Sequence, residues 1–416
     1  MPALQYAIDL LPIRAAQSNW ALTPIAKRLE LLKALRHIMA TRCRWFSEAL
    51  DRPEHETLSA ELLPLLEGCR FLERFAESIL KPKRWGRHGR PLWLFGVSLE
   101  TRREPFGVVL VIGPSNYPLF LAAAQLLQAL TAGNAVVLKP GRGGLAVGKV
   151  FCECIADAGF DGSLVTLLGE DPQEGASVIQ AGVDKVVLTG SFATGTSVLQ
   201  LLAGTATPSV MELSGDDAVF VRNDANPELV VGAVEFALRL NRGNTCIAPK
   251  RVLVAENIGN EVHSLLLQRG LDIPVISVKD DEEALAIAAK SRFALGAAVF
   301  GGEPGARSLA GRIRAGTVVI NDVIVPTADP RLPFGGRGAS GFGVTRGAEG
   351  LLEMTVVKAI TTRSGTSRPH YSRMRPQDAD LFTSCIGFLH GESIAGRVRA
   401  LSQLCREVVA RRNYVS

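Results

Sequence analysis

No block of like charge stands out along this 416-residue chain, in which 46 basic residues face 41 acidic ones for a formal net charge of +5. That balance points to neither nucleic acid nor an acidic partner. The six histidines form no HExxH and no paired-ligand spacing, which removes the usual zinc sites. Seven cysteines, at 43, 69, 152, 154, 246, 385 and 405, are an odd and scattered set that suits a reducing compartment better than a disulfide scaffold. Cys152 and Cys154 stand two apart in a helical stretch and so point to different faces, which argues against a metal pair. Residues 1–4 lack the basic-then-apolar order of a secretory signal. The longest apolar region, residues 108–130, is broken by Gly113, Pro114, Asn116 and Pro118. A membrane span needs about 20 continuous apolar residues, so no integral membrane segment is expected. The expectation is a cytoplasmic globular protein. With 47% hydrophobic residues, a chain of this length can fill at least two domain cores.

Residues 20–80 carry helical periodicity, with Ile25, Leu29, Leu32, Leu35 and Ile38 on one face. From residue 108 onward, short β-branched runs at 108–112, 135–138, 164–168, 185–188 and 210–213 alternate with helical stretches. That rhythm predicts a parallel α/β sheet. A second series, at 251–254, 275–278, 298–300 and 317–320, predicts a second α/β domain joined to the first near residues 241–246. Two extended stretches, 97–103 and 355–362, fall outside both series and are expected to pair as a small sheet. The tail from Arg363 is rich in Arg, Ser and Pro and then turns amphipathic. Ile394, Val398, Leu401, Cys405 and Val408 share one face there, with Arg397, Arg399, Arg406 and Arg411 elsewhere. This pattern reads as a helix packed on a neighbouring subunit, in preference to a helix lying on a membrane surface.

Four local features carry chemistry. Residues 242–248, Arg-Gly-Asn-Thr-Cys-Ile-Ala, put Cys246 in a polar loop that could expose a thiolate, although a lone cysteine is more often a small buried hydrophobe. Glu212 ends an apolar run in Met211-Glu212-Leu213, where a carboxylate either points into a ligand crevice or is simply solvated. Residues 113–118, Gly-Pro-Ser-Asn-Tyr-Pro, form a turn whose Asn116 amide could stabilise an oxyanion; locally the plain Pro/Asn turn explains it as well. Finally, Gly190 to Gly195 in Thr-Gly-Ser-Phe-Ala-Thr-Gly follows a strand and opens a helix, a setting for pyrophosphate on backbone N–H groups. A literal GxGxxG at 336–341 follows no strand and reads as a decoy.

Together these pieces resemble the aldehyde dehydrogenase superfamily over roughly residues 20–363. The motifs are Glu104-Pro105-Phe106-Gly107-Val108, the Asn116 turn, Lys139-Pro140, the Gly190 turn, Glu212-Leu213, Gly243-x-x-Cys246 and Pro333-Phe334-Gly335-Gly336. The resemblance implies an α/β fold in which a Rossmann-like cofactor-binding domain is joined by a second α/β catalytic domain and a small oligomerisation sheet. Its divisions would be N-terminal helices over 1–95, arms at 96–105 and 355–363, the cofactor domain over 106–241, a truncated catalytic domain over 242–354 and a tail over 364–416. It implies NAD(P)-dependent oxidation of an aldehyde to an acid, with Cys246 as nucleophile, Glu212 as general base, and Asn116 with the Cys246 N–H as oxyanion hole. Lys139, Arg142, Gly190, Ser191, Gly195 and Leu213 would serve NAD or NADP. A small aldehyde and further copies of the chain, as a homodimer or higher oligomer, are the implied partners.

The chain also departs from the family pattern. Asn244 stands where Gln is usual and Ser115 where Trp is frequent. Arg142 replaces a frequent Glu that would grip the ribose, so NADP is expected to be accepted at least as well as NAD. Only residues 255–273 separate the post-cysteine strand from Pro274, and Gly270 falls where a ribose-binding Glu would stand. Two other readings therefore remain beside hydrolytic oxidation: a CoA-acylating dehydrogenase, disfavoured by the retained Glu212, and a catalytically silent cofactor-binding scaffold.

Overall fold

The computed structural model describes residues 8–366, 368–371, 373–376 and 378–413; the reading of residues 1–4 and the side chain of Arg411 lie outside the described part. The chain forms two compact units. One runs up to Trp85 and resumes over Leu99–Ile360, and the other consists of Gly86–Ser98 with the residues from Thr361 onward.

The helical preface begins earlier than its periodicity suggests, at Leu11–Leu22, where Ile13, Ala16 and Trp20 are buried and Trp20 Nε1 donates to the Leu130 carbonyl at 2.8 Å. Helix Ile25–Thr41 buries Leu32, Leu35 and Met39. Helix Leu63–Leu80 buries Leu65, Cys69, Leu72 and Ala76. Their 3–4 residue spacing makes one apolar stripe on each, so the two pack on the core rather than stand in solvent.

The first sheet runs in the order Gly341–Phe342, Ser209–Glu212, Lys185–Thr189, Val108–Ile112, Ala135–Lys139, Val165–Leu167. All its strands are parallel except the edge strand Gly341–Phe342, which is antiparallel to Ser209–Glu212. Every residue of Val108–Ile112, Ala135–Lys139 and Lys185–Thr189 is buried, as expected of parallel strands covered by helices on both faces. The chain moves outward from Val108–Ile112 to Val165–Leu167, then returns to the other side with Lys185–Thr189. The reversal places a ligand crevice at the carboxyl ends of the two central strands.

The second sheet is entirely parallel, in the order Val275–Val278, Arg251–Ala255, Ala218–Val221, Gly296–Phe300, Thr317–Ile320. Its central strand, Ala218–Val221, precedes Cys246. The crossing between the sheets therefore lies at residues 213–217, not near 241–246, and the expected division at 241/242 is corrected accordingly. The physical reason is that no helix separates Ser209–Glu212 from Ala218–Val221, so the short Ala-Val-Phe-Val run carries no βα rhythm of its own. Helix Pro227–Arg239 goes with it, packing Val230, Val231 and Val234 on Val219, Val252 and Val254.

The two extended stretches are neighbours in a third sheet, Lys83–Trp85, Val97–Pro105, Thr355–Arg363. Its first strand has no counterpart in the sequence reading and pairs antiparallel through Lys83 opposite Thr101. The tail forms helices Asp378–His390 and Ile394–Asn413. Among the described residues, no helix is long and apolar enough to cross a membrane.

Candidate active site

A cleft of about 890 Å³ opens at the carboxyl ends of the first sheet, where the turns after Val108–Ile112 and Lys185–Thr189 part. Asn116, Lys139, Arg142, Gly190, Ser191, Glu212, Leu213 and Cys246 all line it. The structure thus gathers eight of the nine residues singled out from the sequence. Gly195 is the exception, because a Cβ there would lie 2.6 Å from Leu213 Cδ2. Its role is close packing of helix Phe192–Leu202 against the Leu213 side chain, which corrects the expectation that it meets a pyrophosphate directly.

Cys246 sits half-buried in the loop after the tight turn Leu240–Gly243. Asn241 and Arg242 both have positive φ, 48° and 54°, a backbone state disfavoured for Arg and held here by the surroundings. Asn241 Nδ2 donates to the Asn116 carbonyl at 2.9 Å, and Asn116 Nδ2 donates to the Asn244 carbonyl at 2.7 Å. Tyr117 Oη and Thr245 Oγ1 are 2.6 Å apart in the buried layer beneath. The Asn116 turn and the cysteine loop are therefore laced together. One N–H of the Asn116 amide holds the loop.

Behind that turn stands a buried pair that sequence reasoning missed. Glu61, fully buried, accepts from the backbone N–H groups of Leu119 and Phe120 at 2.7 and 3.0 Å. It pairs with Arg52 at 2.9 Å, and Arg52 Nη2 donates to the Asn116 carbonyl at 2.8 Å. The carboxylate serves as a remote cap for helix Phe120–Ala132, whose own N-terminal residues offer no side-chain cap.

Glu212 is only 2% exposed. Its strand registers it opposite Thr189 on one side and Gly341 on the other. Oε2 accepts from Thr345 Oγ1 at 3.1 Å, while buried Oε1 has no hydrogen-bond partner. Burial pushes the carboxyl pKa up; the Arg346 guanidinium, then the neighbouring hydroxyls of Thr345 and Thr189, pull it back. Arg346 is also buried. Its Nη1 donates to the Thr327 carbonyl at 2.6 Å, its guanidinium lies 4.6 Å from the Phe334 ring centre, and Nε is unpartnered. Burial likewise pushes the Cys246 thiol well above its ordinary range, helped by the negative charges of Glu212 and Asp217 and opposed by Arg346. A low-pKa resting thiolate is therefore not what this environment favours. The thiol is disposed to stay protonated until a base takes its proton.

At the far end of the cleft, Lys139 is largely buried; burial lowers its pKa and the carboxylates of Glu170, Glu174 and Asp171 oppose this. Arg142 is exposed beside it. Glu170 accepts from the Leu145 N–H at 3.0 Å and so occupies the N-terminus of helix Leu145–Asp157. Ser191 caps helix Phe192–Leu202 by accepting from the Thr194 N–H at 3.1 Å. Gly141 is required by close approach, since a Cβ would lie 2.3 Å from the Pro114 carbonyl carbon. Gly270 ends helix Glu256–Gln268 with φ +67°, and no residue of 255–273 lines the cleft. The GxGxxG at 336–341 is packed against the strand of Glu212: Gly341 abuts the Met211 carbonyl, and Ser340 Oγ donates to the Ser214 carbonyl at 2.7 Å.

The aldehyde dehydrogenase family model matches residues 12–271 and 273–360. A 4,4'-diapolycopene aldehyde oxidase of Methylomonas sp is 27% identical, with 91% of this chain and 86% of that protein covered. A probable coniferyl aldehyde dehydrogenase of Pseudomonas aeruginosa is 26% identical, covering 87% and 90%. Among solved structures, Staphylococcus aureus AldH in a substrate-bound state superposes with a TM-score of 0.78 at 22% identity, over 86% of this chain and 94% of that one. A Mycobacterium tuberculosis aldehyde dehydrogenase complexed with NAD+ gives 0.78 at 21%, over 86% and 90%.

Proposed function

Because the chain belongs to the aldehyde dehydrogenase family, we propose that its cleft oxidises an aldehyde to a carboxylic acid with NAD or NADP, through Cys246, Glu212 and Asn116. The observation that carries this reading is the convergence of these three residues, from three separate elements, on one 890 Å³ cleft. The cleft also fits the cofactor. Its wall carries Gly190 and the uncrowded N-terminus of helix Phe192–Leu202, flanked by Lys139 and Arg142, donors suited to a pyrophosphate and ribose. Bound there, NAD(P) supplies a hydride acceptor.

The chain's own residues do the rest. Glu212, held in place by Thr345, takes the thiol proton of Cys246, and the sulfur adds to the aldehyde carbon. The oxyanion of the hemithioacetal is held by the second N–H of Asn116 and the backbone N–H of Cys246, and loss of hydride leaves a thioester. Once Glu212 has passed the thiol proton to solvent, it takes a proton from water as the water oxygen attacks the thioester carbon; the Cys246 thiolate departs, recovers a proton from Glu212, and the acid is released. Thiolysis by CoA would need no such base, and the care with which Glu212 is buried and bonded favours hydrolysis.

The same reading makes the third sheet the place where copies associate. Thr355–Arg363 lies at its edge and leaves Val356 and Val357 exposed, a surface another strand could extend. All seven cysteines are free, which supports a reducing, cytoplasmic setting.

The test is an NAD(P)H-production assay over a panel of aldehydes. Cys246→Ala abolishes turnover with cofactor binding kept, and Glu212→Gln slows turnover while an acyl adduct on Cys246 accumulates in intact-mass spectra. Wild-type activity in Cys246→Ala refutes the nucleophile. Turnover that requires CoA establishes the acylating reaction instead, and cofactor binding without turnover of any aldehyde establishes the scaffold.

A further inference from the structure

The positive charge of this chain is unevenly placed. Residues 361–416 hold nine Arg and four acidic residues, while the preceding 360 carry 37 residues of each sign. The whole formal charge of +5 therefore sits on the C-terminal segment.

Helix Ile394–Asn413 packs through Gly396, Ala400, Leu404 and Glu407, its less exposed positions, and the two tail helices approach so closely that a Cβ on Gly387 would lie 3.1 Å from that of Ala400. Ile394, Val398, Leu401, Cys405 and Val408 lie on a different face. They recur every three to four residues and remain in solvent, with Ile394 80% and Val398 61% exposed. Phe382 and Ile386, one turn apart on Asp378–His390, are exposed as well. At about 100° per residue, Arg397 lies next to the stripe on one side, its Nε donating to the Phe388 carbonyl at 3.0 Å, while Arg406 and Arg399 lie further round on the other, beyond Ser402 and Ala395. Glu407, the acidic residue of this helix, lies on the packed side. The exposed stripe is therefore apolar, with arginine as the charged residue on either flank.

We propose that this helical hairpin docks on an anionic lipid surface, with the stripe at the headgroup–acyl boundary and the flanking arginines on the lipid phosphates and carboxylates. A second copy of the hairpin is the poorer occupant. Stripe against stripe would set basic flank against basic flank, which repels. This reverses the preference for a neighbouring subunit that periodicity alone suggests. The proposal uses none of the cleft residues and does not rest on the reading of their chemistry.

The experiment is flotation of the full-length protein with vesicles of phosphatidylcholine alone or with about a third phosphatidylserine. Binding to the anionic vesicles is expected, falling about tenfold or more as NaCl rises from about 0.1 to about 0.5 M. A comparable loss is expected for Val398→Glu/Leu401→Glu and for Arg397→Gln/Arg399→Gln/Arg406→Gln. Unchanged cofactor binding and thermal unfolding in these variants exclude misfolding. Equal binding to neutral vesicles, or none to either, overturns the proposal. So does a Val398→Glu/Leu401→Glu protein that floats like wild type but forms a smaller species by light scattering, because a second copy then covers the stripe.

Discussion

Arg346 is the residue on which the proposed base most depends, and its replacement by Met makes the argument quantitative. Methionine keeps much of the side-chain volume against Phe334 but removes the cation that opposes the burial of Glu212. A nearby opposite charge lowers a carboxyl pKa by about 1–3 units, each unit being about 1.4 kcal/mol. Its loss raises the Glu212 pKa further. Glu212 acts ionised, so the acidic limb of the kcat profile should move to higher pH by about 1 unit or more, with activity near neutrality down roughly tenfold and recovering as pH rises. Stability should fall too, because the Thr327 carbonyl loses its donor, at a cost of about 1–3 kcal/mol. The assay is steady-state NAD(P)H production across a pH series for wild type, Arg346→Met and Arg346→Lys, with Lys retaining part of the effect. A uniform fall in kcat with an unshifted pH profile refutes the reasoning, for then Arg346 supports the fold and not the charge of Glu212.

Three further outcomes follow from the same site. Burial holds Asp217 at a pKa of about 8 against an ordinary 3.8, offset in part by the Gly296 N–H and reinforced by Asp216; a carboxyl raised in the folded state contributes stability below its unfolded pKa and loses it as pH rises through the folded value. Wild type should therefore lose thermal stability between about pH 4 and 8 relative to Asp217→Asn, which keeps the oxygen facing Gly296, and parallel melting curves would contradict this. Gly195→Ala sets a Cβ 2.6 Å from Leu213 Cδ2, so unfolding free energy should drop by about 1–3 kcal/mol, and cofactor affinity should weaken as Leu213 is pushed into the cleft; an undisturbed protein would show that Leu213 moves freely. For Arg142→Glu, NADP affinity should fall roughly ten- to a hundredfold and NAD affinity rise, given about 1.5–3 kcal/mol for an Arg–phosphate contact; equal dissociation constants in both proteins would remove Arg142 from the 2′ position.

The residues that were legible in the sequence share a property: each sits at the end of an element whose type its own neighbours announce. Cys246, Asn116 and the Gly190 turn follow or precede β-branched runs, so their exposure to a crevice could be argued locally. Arg346 could not be found that way. Val344-Thr345-Arg346-Gly347 reads as a solvated polar turn, and only the antiparallel return of Gly341–Phe342 beside Ser209–Glu212 carries Thr345 and Arg346 under Glu212. The Arg52–Glu61 pair was hidden for the same reason, because helical periodicity predicts which face of a helix is buried but not that an acid on it will cap a different helix. Strand Ala218–Val221 was invisible for want of a helix before it.

Glycine shows most clearly where local reading ends. The 336–341 run has the spacing of a dinucleotide fingerprint and the 190–195 turn does not, yet it is the latter that lines the cleft. Spacing alone cannot separate them, because glycine marks close approach without naming what approaches. At Gly341 the neighbour is the Met211 carbonyl, at Gly195 the Leu213 side chain, and at Gly141 the Pro114 backbone. At Gly190, which lines the cleft beside a helix N-terminus, a Cβ would meet only ordinary contacts with Leu188 and Thr194, none nearer than 3.7 Å. The other glycines bring the strand of Glu212, the helix beside it and the turn of Asn116 close enough to share one crevice. Their absent side chains act on the chemistry by fixing the separation of the groups that perform it.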